Sequence, residues 1–133
     1  MAIVLSNTFT LRNALYLDGV ASGLMGTLMM AASGPLSGLF GLPAAALFWV
    51  GVAFIPWMVA LVLMGRRVPI NETLVSIVVE INIAWIVASG ALMLGAWLGG
   101  WVEMTALGYV FVAGQALAVA VFTELQILAR RGK

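Results

Sequence analysis

Neither cysteine nor histidine occurs among the 133 residues, and charge is scarce. The chain therefore has no disulfide, no thiolate or imidazole metal ligand, no histidine-ligated haem and no Ser-His or Cys-His nucleophile pair. Carboxylates and hydroxyls remain, and no nucleophile with an adjacent base can be placed among them, so an enzyme is not expected. Nor is a cofactor or metal ion, because nothing resembles a ligand loop for a hard divalent cation. Charged residues make up 8% of the chain, against roughly 25% in an ordinary soluble domain. Six Lys and Arg are divided among three places, which leaves no clustered basic surface for nucleic acid.

What is present belongs in lipid. Residues are 64% hydrophobic, with a mean hydropathy of +1.16. Crossing a bilayer takes about 20 apolar residues per helix, so four spans use nearly the whole length as one membrane domain, 1–133. The spacing predicts an all-α bundle with helices over about 11–33, 43–65, 72–98 and 104–130. Thr8 or Thr10 would cap the first, and Gly34-Pro35 would stop it. Pro35 to Leu42 reads as a turn at the membrane surface. Pro43 suits the first turn of the second helix, and Pro56 should bend that helix near its middle. Asn71 caps the third helix, with Glu72 in its first turn. The fourth ends on Arg130, Arg131 and Lys133, cations suited to a C-terminal dipole.

Four spans put both termini and the 66–71 connection on one side, and all six basic residues fall there: Arg12, Arg66, Arg67, Arg130, Arg131 and Lys133. The positive-inside rule makes that side cytoplasmic. Trp97 and Trp101, with Trp49, then form an outer aromatic belt. No cleavable signal peptide is expected, since Met1 to Thr10 lacks a basic region and the first apolar segment is full length.

Three acids fall inside the spans. At about 1.5 Å per residue, Asp18, Glu80 and Glu124 each lie about 10 to 12 Å from the cytoplasmic end of a helix, in one layer. Carboxylates brought together in low dielectric must take up a proton or a cation, so the three form a candidate proton or cation site. In the alternative, each acid snorkels or pairs with Arg12, Arg66, Arg67 or Arg131 and only orients the bundle. On the opposite side of the third helix runs a stripe of Asn82, Trp85 and Ser89, and on the fourth lie Gln115 and Gln126. These are read as helix-contact hydrogen bonds, within the monomer or across a homo-oligomer, or as recognition of a lipid or quinone-like headgroup. Gly19, Gly23 and Gly26 line a face that permits close helix packing.

The pattern Asn13-(x)4-Asp18-Gly19-(x)3-Gly23, Gly41-Leu42-Pro43, Asn82-(x)2-Trp85 and Gln115-(x)10-Gln126 resembles that of small, uncharacterised bacterial four-helix membrane proteins over nearly the whole chain. The resemblance implies the bacterial inner membrane and no mechanism. In size the chain is also similar to small multidrug transporters, but Asp18 matches their first-helix Glu only loosely and their other motifs are absent. Two functions are expected from the residues: a non-enzymatic transporter or ligand-binding protein with an intramembrane carboxylate site, or an accessory subunit of a larger membrane complex.

Overall fold

The computed structural model describes residues 7–131, with side chains over 11–129. The side chains of Thr8, Thr10, Arg130 and Arg131, the whole of Lys133 and the start at Met1 lie outside the described residues. Five helices follow one another: α1 (Asn7–Ala31), α2 (Ser33–Phe40), α3 (Ala44–Arg66), α4 (Glu72–Gly99) and α5 (Ala106–Arg131). Among the described residues there is no strand. Four of the helices, all but α2, are long and apolar enough to cross a membrane.

The extra helix corrects the turn expected over Pro35 to Leu42. Gly34-Pro35 does interrupt α1, but Pro35 falls in the first turn of α2, where a backbone N–H has no partner to lose. Gly41 ends α2 in a left-handed conformation, φ 69°, with its N–H bonded to the Ser37 carbonyl. Thr105 then fastens α2 to the start of α5: its N–H donates to the Phe40 carbonyl at 3.1 Å and its hydroxyl to the Leu39 carbonyl at 2.5 Å. The same hydroxyl oxygen accepts the Gly108 N–H at 3.0 Å and so caps α5.

At the other boundaries, α1 is already helical from Asn7, before either threonine, and α3 runs through Pro56 without a break. Asn71 caps α4, its side-chain oxygen accepting the Leu74 N–H at 3.1 Å.

Contacts between ends give the helix directions. Arg12, near the start of α1, donates to the carbonyls of Gly65 at 2.5 Å and Arg67 at 3.2 Å, at the end of α3. The Trp97 ring, near the end of α4, meets Tyr109, near the start of α5, edge to face. Both pairs are antiparallel. The closest of all the helix pairings is α1 on α3. There Gly26 and Gly51 face each other: a Cβ on Gly26 would lie 2.8 Å from the Gly51 carbonyl oxygen, and one on Gly51 would lie 2.7 Å from that of Gly26. Gly19 rests against Leu61 and Gly23 against the Met58 side chain, so all three small positions of α1 face α3.

Side chains close the bundle at both ends. Leu11, Leu15, Leu61, Val75, Val78 and Ala129 belong to one buried cluster, at the end that holds Arg12. Met29, Leu42, Leu47 and Val112 form another at the opposite end. Between these clusters the middle of the bundle is not filled.

Candidate functional site

Asp18 stands in that middle layer, 1% exposed, about three turns from the start of α1. Two amides reach it from other helices. Asn82 of α4 donates from Nδ2 to Asp18 Oδ2 at 3.2 Å, and Gln126 of α5 donates from Nε2 to the same oxygen at 3.1 Å. Asn82 Nδ2 also donates to Gln126 Oε1 at 3.4 Å, which closes a ring of three side chains from three helices. Ser22, one turn along α1, donates to the other carboxyl oxygen, Oδ1, at 3.4 Å. An acid in an apolar interior needs donors, and a primary amide with two N–H groups can serve an acid and a second amide at once.

A second network lies further along the same faces. Trp85 Nε1 donates to Gln115 Oε1 at 2.6 Å. The Gln115 amide nitrogen donates to Ser89 Oγ at 3.0 Å and to the Val112 carbonyl at 2.9 Å, and Ser89 Oγ donates to the Trp85 carbonyl at 2.8 Å. Among the described residues no buried side-chain nitrogen or oxygen is left without a partner.

Beside the Asp18 ring is a cavity of about 540 Å³, within the range of roughly 300 to 1,000 Å³ found for small-molecule sites. Asp18 and Ser22 line it on one side and Asn82 and Gln115 on another, while most of the wall is aromatic: Phe54 and Trp57 of α3, Trp85 of α4, Phe111 and Phe122 of α5. A smaller cavity of about 260 Å³ continues toward the α2 end. Met25, Phe54, Trp85, Phe111 and Gln115 line both, so these side chains form the partition between them.

The structure does not bring the three acids together. Glu80 and Glu124 are exposed on the outer faces of α4 and α5, and Asp18 alone is inside. Asn82 and Gln126, each two residues from one of these acids, do reach Asp18, but rotation about the helix axis decides what a side chain meets. Asn82, Trp85 and Ser89 lie opposite Glu80, and once that stripe faces the interior the acid must face out. On α5, Gln126 and Glu124 divide in the same way. Among the described residues no three acids are grouped so as to hold a metal ion. Arg12, a partner considered for the acids, is occupied by the end of α3. The amides Asn82, Gln115 and Gln126, with Trp85 and Ser89, bond to one another or to Asp18 inside one chain.

Phe111 of α5 escaped the sequence reading, as did two wall residues of α3, Phe54 and Trp57. For the α3 pair the signal was a spacing of three and four that runs through Leu47, Val50, Phe54, Trp57, Leu61 and Met64, the inward stripe of α3. It was hidden because α3 is apolar on every side.

No family model, no curated protein and no solved structure matches the chain.

Proposed function

We propose that this chain is a multi-pass protein of the bacterial inner membrane, with both termini in the cytoplasm, that binds and carries a small molecule at Asp18 without chemically changing it. The observation that carries the reading is the cavity of about 540 Å³ beside a buried, hydrogen-bonded carboxyl group, at the middle of helices long enough to span a bilayer. A carboxyl that served only to hold helices together would be packed over; this one borders open volume. Among the described residues the only hydroxyl bonded to this carboxylate is that of Ser22, and its 3.4 Å contact is longer than the roughly 2.6 to 3.2 Å over which a base takes a proton, which favours binding over chemistry.

The experiment fills the cavity. Val119 is half-buried and lines it, so Val119→Trp places a ring in the free volume. Native mass spectra of protein released gently from its own membranes are expected to show a bound small molecule on the wild type and none on Val119→Trp. Equal adducts on both proteins overturn the reading. The membrane orientation is checked separately. A C-terminal reporter active only outside the cytoplasm is expected to stay silent, and signal from it would reverse the topology.

A further inference from the structure

The polar groups around the cavity are unevenly spent, and the imbalance defines what the cavity takes. Both Asn82 amide hydrogens are engaged, by Asp18 and by Gln126. Both Gln115 amide hydrogens are engaged, by Ser89 and by the Val112 carbonyl. The Trp85 N–H is held by Gln115, and the Ser89 hydroxyl by the Trp85 carbonyl. An anion or a carbonyl ligand such as a quinone needs donors, and these side chains have none to offer. The acid is different. Asp18 Oδ2 holds two amides, Oδ1 holds the long 3.4 Å contact from Ser22, and the Trp57 indole N–H is spent on the same carboxyl, so the groups around it offer hydrogens to the acid and no positive charge.

Charge adds to this. Among the described residues no Lys or Arg side chain pairs with Asp18, since Arg12 on the same helix is tied to the carbonyls of Gly65 and Arg67. Amides stabilise a carboxylate but do not neutralise it, and in a low-dielectric interior a counter-charge is the strongest partner available. The aromatic wall favours the same sign, because indole and phenyl faces attract cations and Trp is the best of them. Trp57 lies beside the carboxyl, with Phe54, Trp85, Phe111 and Phe122 around the remainder.

The route is set by what closes the cavity and what does not. An apolar cluster closes the bundle at the Arg12 end, and toward α2 the space narrows into the smaller cavity among Met29, Leu42, Leu47 and Val112. The lining of the larger cavity nevertheless includes the exposed residues Ala21, Ala53, Gly114 and Ala118, which are small and sit in the middle of α1, α3 and α5. Mid-span residues of helices this apolar face hydrocarbon. The opening is therefore toward the acyl chains.

From these observations we infer that the ligand is a lipophilic organic cation, an ammonium group bearing apolar substituents, which reaches Asp18 sideways from the bilayer. The inference rests on the ligand-binding reading above. The ammonium lies against the Asp18 carboxyl, the rings surround it, and its apolar part fills the space toward Val119 and Phe122.

The test uses the full chain in nanodiscs of neutral phosphatidylcholine, with quenching of tryptophan fluorescence as the readout. Three probes of one shape are compared: phenylpropyl-trimethylammonium, its neutral isostere with carbon in place of nitrogen, and phenylpropyl sulfonate. The ammonium is expected to bind saturably and at least tenfold more tightly than the neutral isostere, and the sulfonate not at all. Asp18→Asn is expected to bring the ammonium down to the affinity of the isostere, and Trp57→Leu to weaken the ammonium more than the isostere. If the isostere binds as well as the ammonium and Val119→Trp blocks both, the cavity is a binding site and the inferred charge is wrong. Tighter binding of the sulfonate would also overturn it. If no probe binds, the inference and the ligand-binding reading fall together. Should Asp18→Asn not fold, the ranking of the three probes on the wild type still decides.

Discussion

An Asp18→Leu protein is expected to be less stable than the wild type by about 2 to 4 kcal/mol in a reversible detergent or thermal unfolding titration. Leucine has the same branching with bulkier ends, and the cavity beside Asp18 has room for them, so packing is not the main reason. The substitution leaves the Asn82 and Gln126 amides with hydrogens buried and unpaired, in a region 4% and 0% exposed. Each orphaned donor costs about 1 to 3 kcal/mol when water cannot reach it. Asp18→Asn keeps an oxygen that accepts, and should cost less than about 1 kcal/mol. The decisive comparison is the triple replacement of Asp18, Asn82 and Gln126 by leucine. Removing every polar member of a ring is close to neutral where removing one is not, so the triple variant should regain most of the loss. Additive losses would show that the three side chains do not act as one unit.

Gly26→Leu is expected to lower stability by about 3 kcal/mol and to separate α1 from α3. A side chain there meets the Gly51 carbonyl at 2.8 Å and the Phe54 Cβ at 2.8 Å, and neither can rotate away. Gly23→Ala is a sharp contrast. Its Cβ meets the Met58 side chain, which is flexible and can move aside, so the loss should stay below about 1 kcal/mol. At Gly34 a Cβ meets nothing within 4 Å, and Gly34→Ala should stabilise by about 0.5 kcal/mol through the helix preference alone. Unfolding midpoints and the separation of labels on α1 and α3 would establish the order. A Gly26→Leu protein with native spacing would refute the backbone contact.

Helix existence and length were legible because a run of apolar residues bounded by Gly, Pro and Asn leaves little choice. Asn71 and Gly100 mark the ends of α4 by their side-chain bond and left-handed backbone respectively. The α2 helix was not legible, since Gly and Pro in eight residues read as a turn until Thr105 is seen holding its end. For the site, Asp18 was visible as an acid in a span, and Asn82 and Gln126 as amides needing partners. What misled was the grouping of like with like. Three carboxylates repel, whereas an acid and two amides satisfy one another, so complementarity of donor and acceptor was the better guide to which side chains share an interior.

The Asp18 ring also has a consequence for biogenesis. Its donors lie 64 and 108 residues further along the chain. For a chain inserted as proposed, α1 enters the bilayer with only Ser22 on its own helix to serve the acid, and α1 is also the least apolar of the four spans. The carboxyl acquires its first amide when α4 arrives and its second only when the last helix is in place. Completion of the C-terminal span is thus what completes the partners of an acid near the N-terminus, and a nascent chain that stops before Gln126 has α1 already packed on α3 but carries a carboxyl short of one amide, a ready signal for membrane quality control.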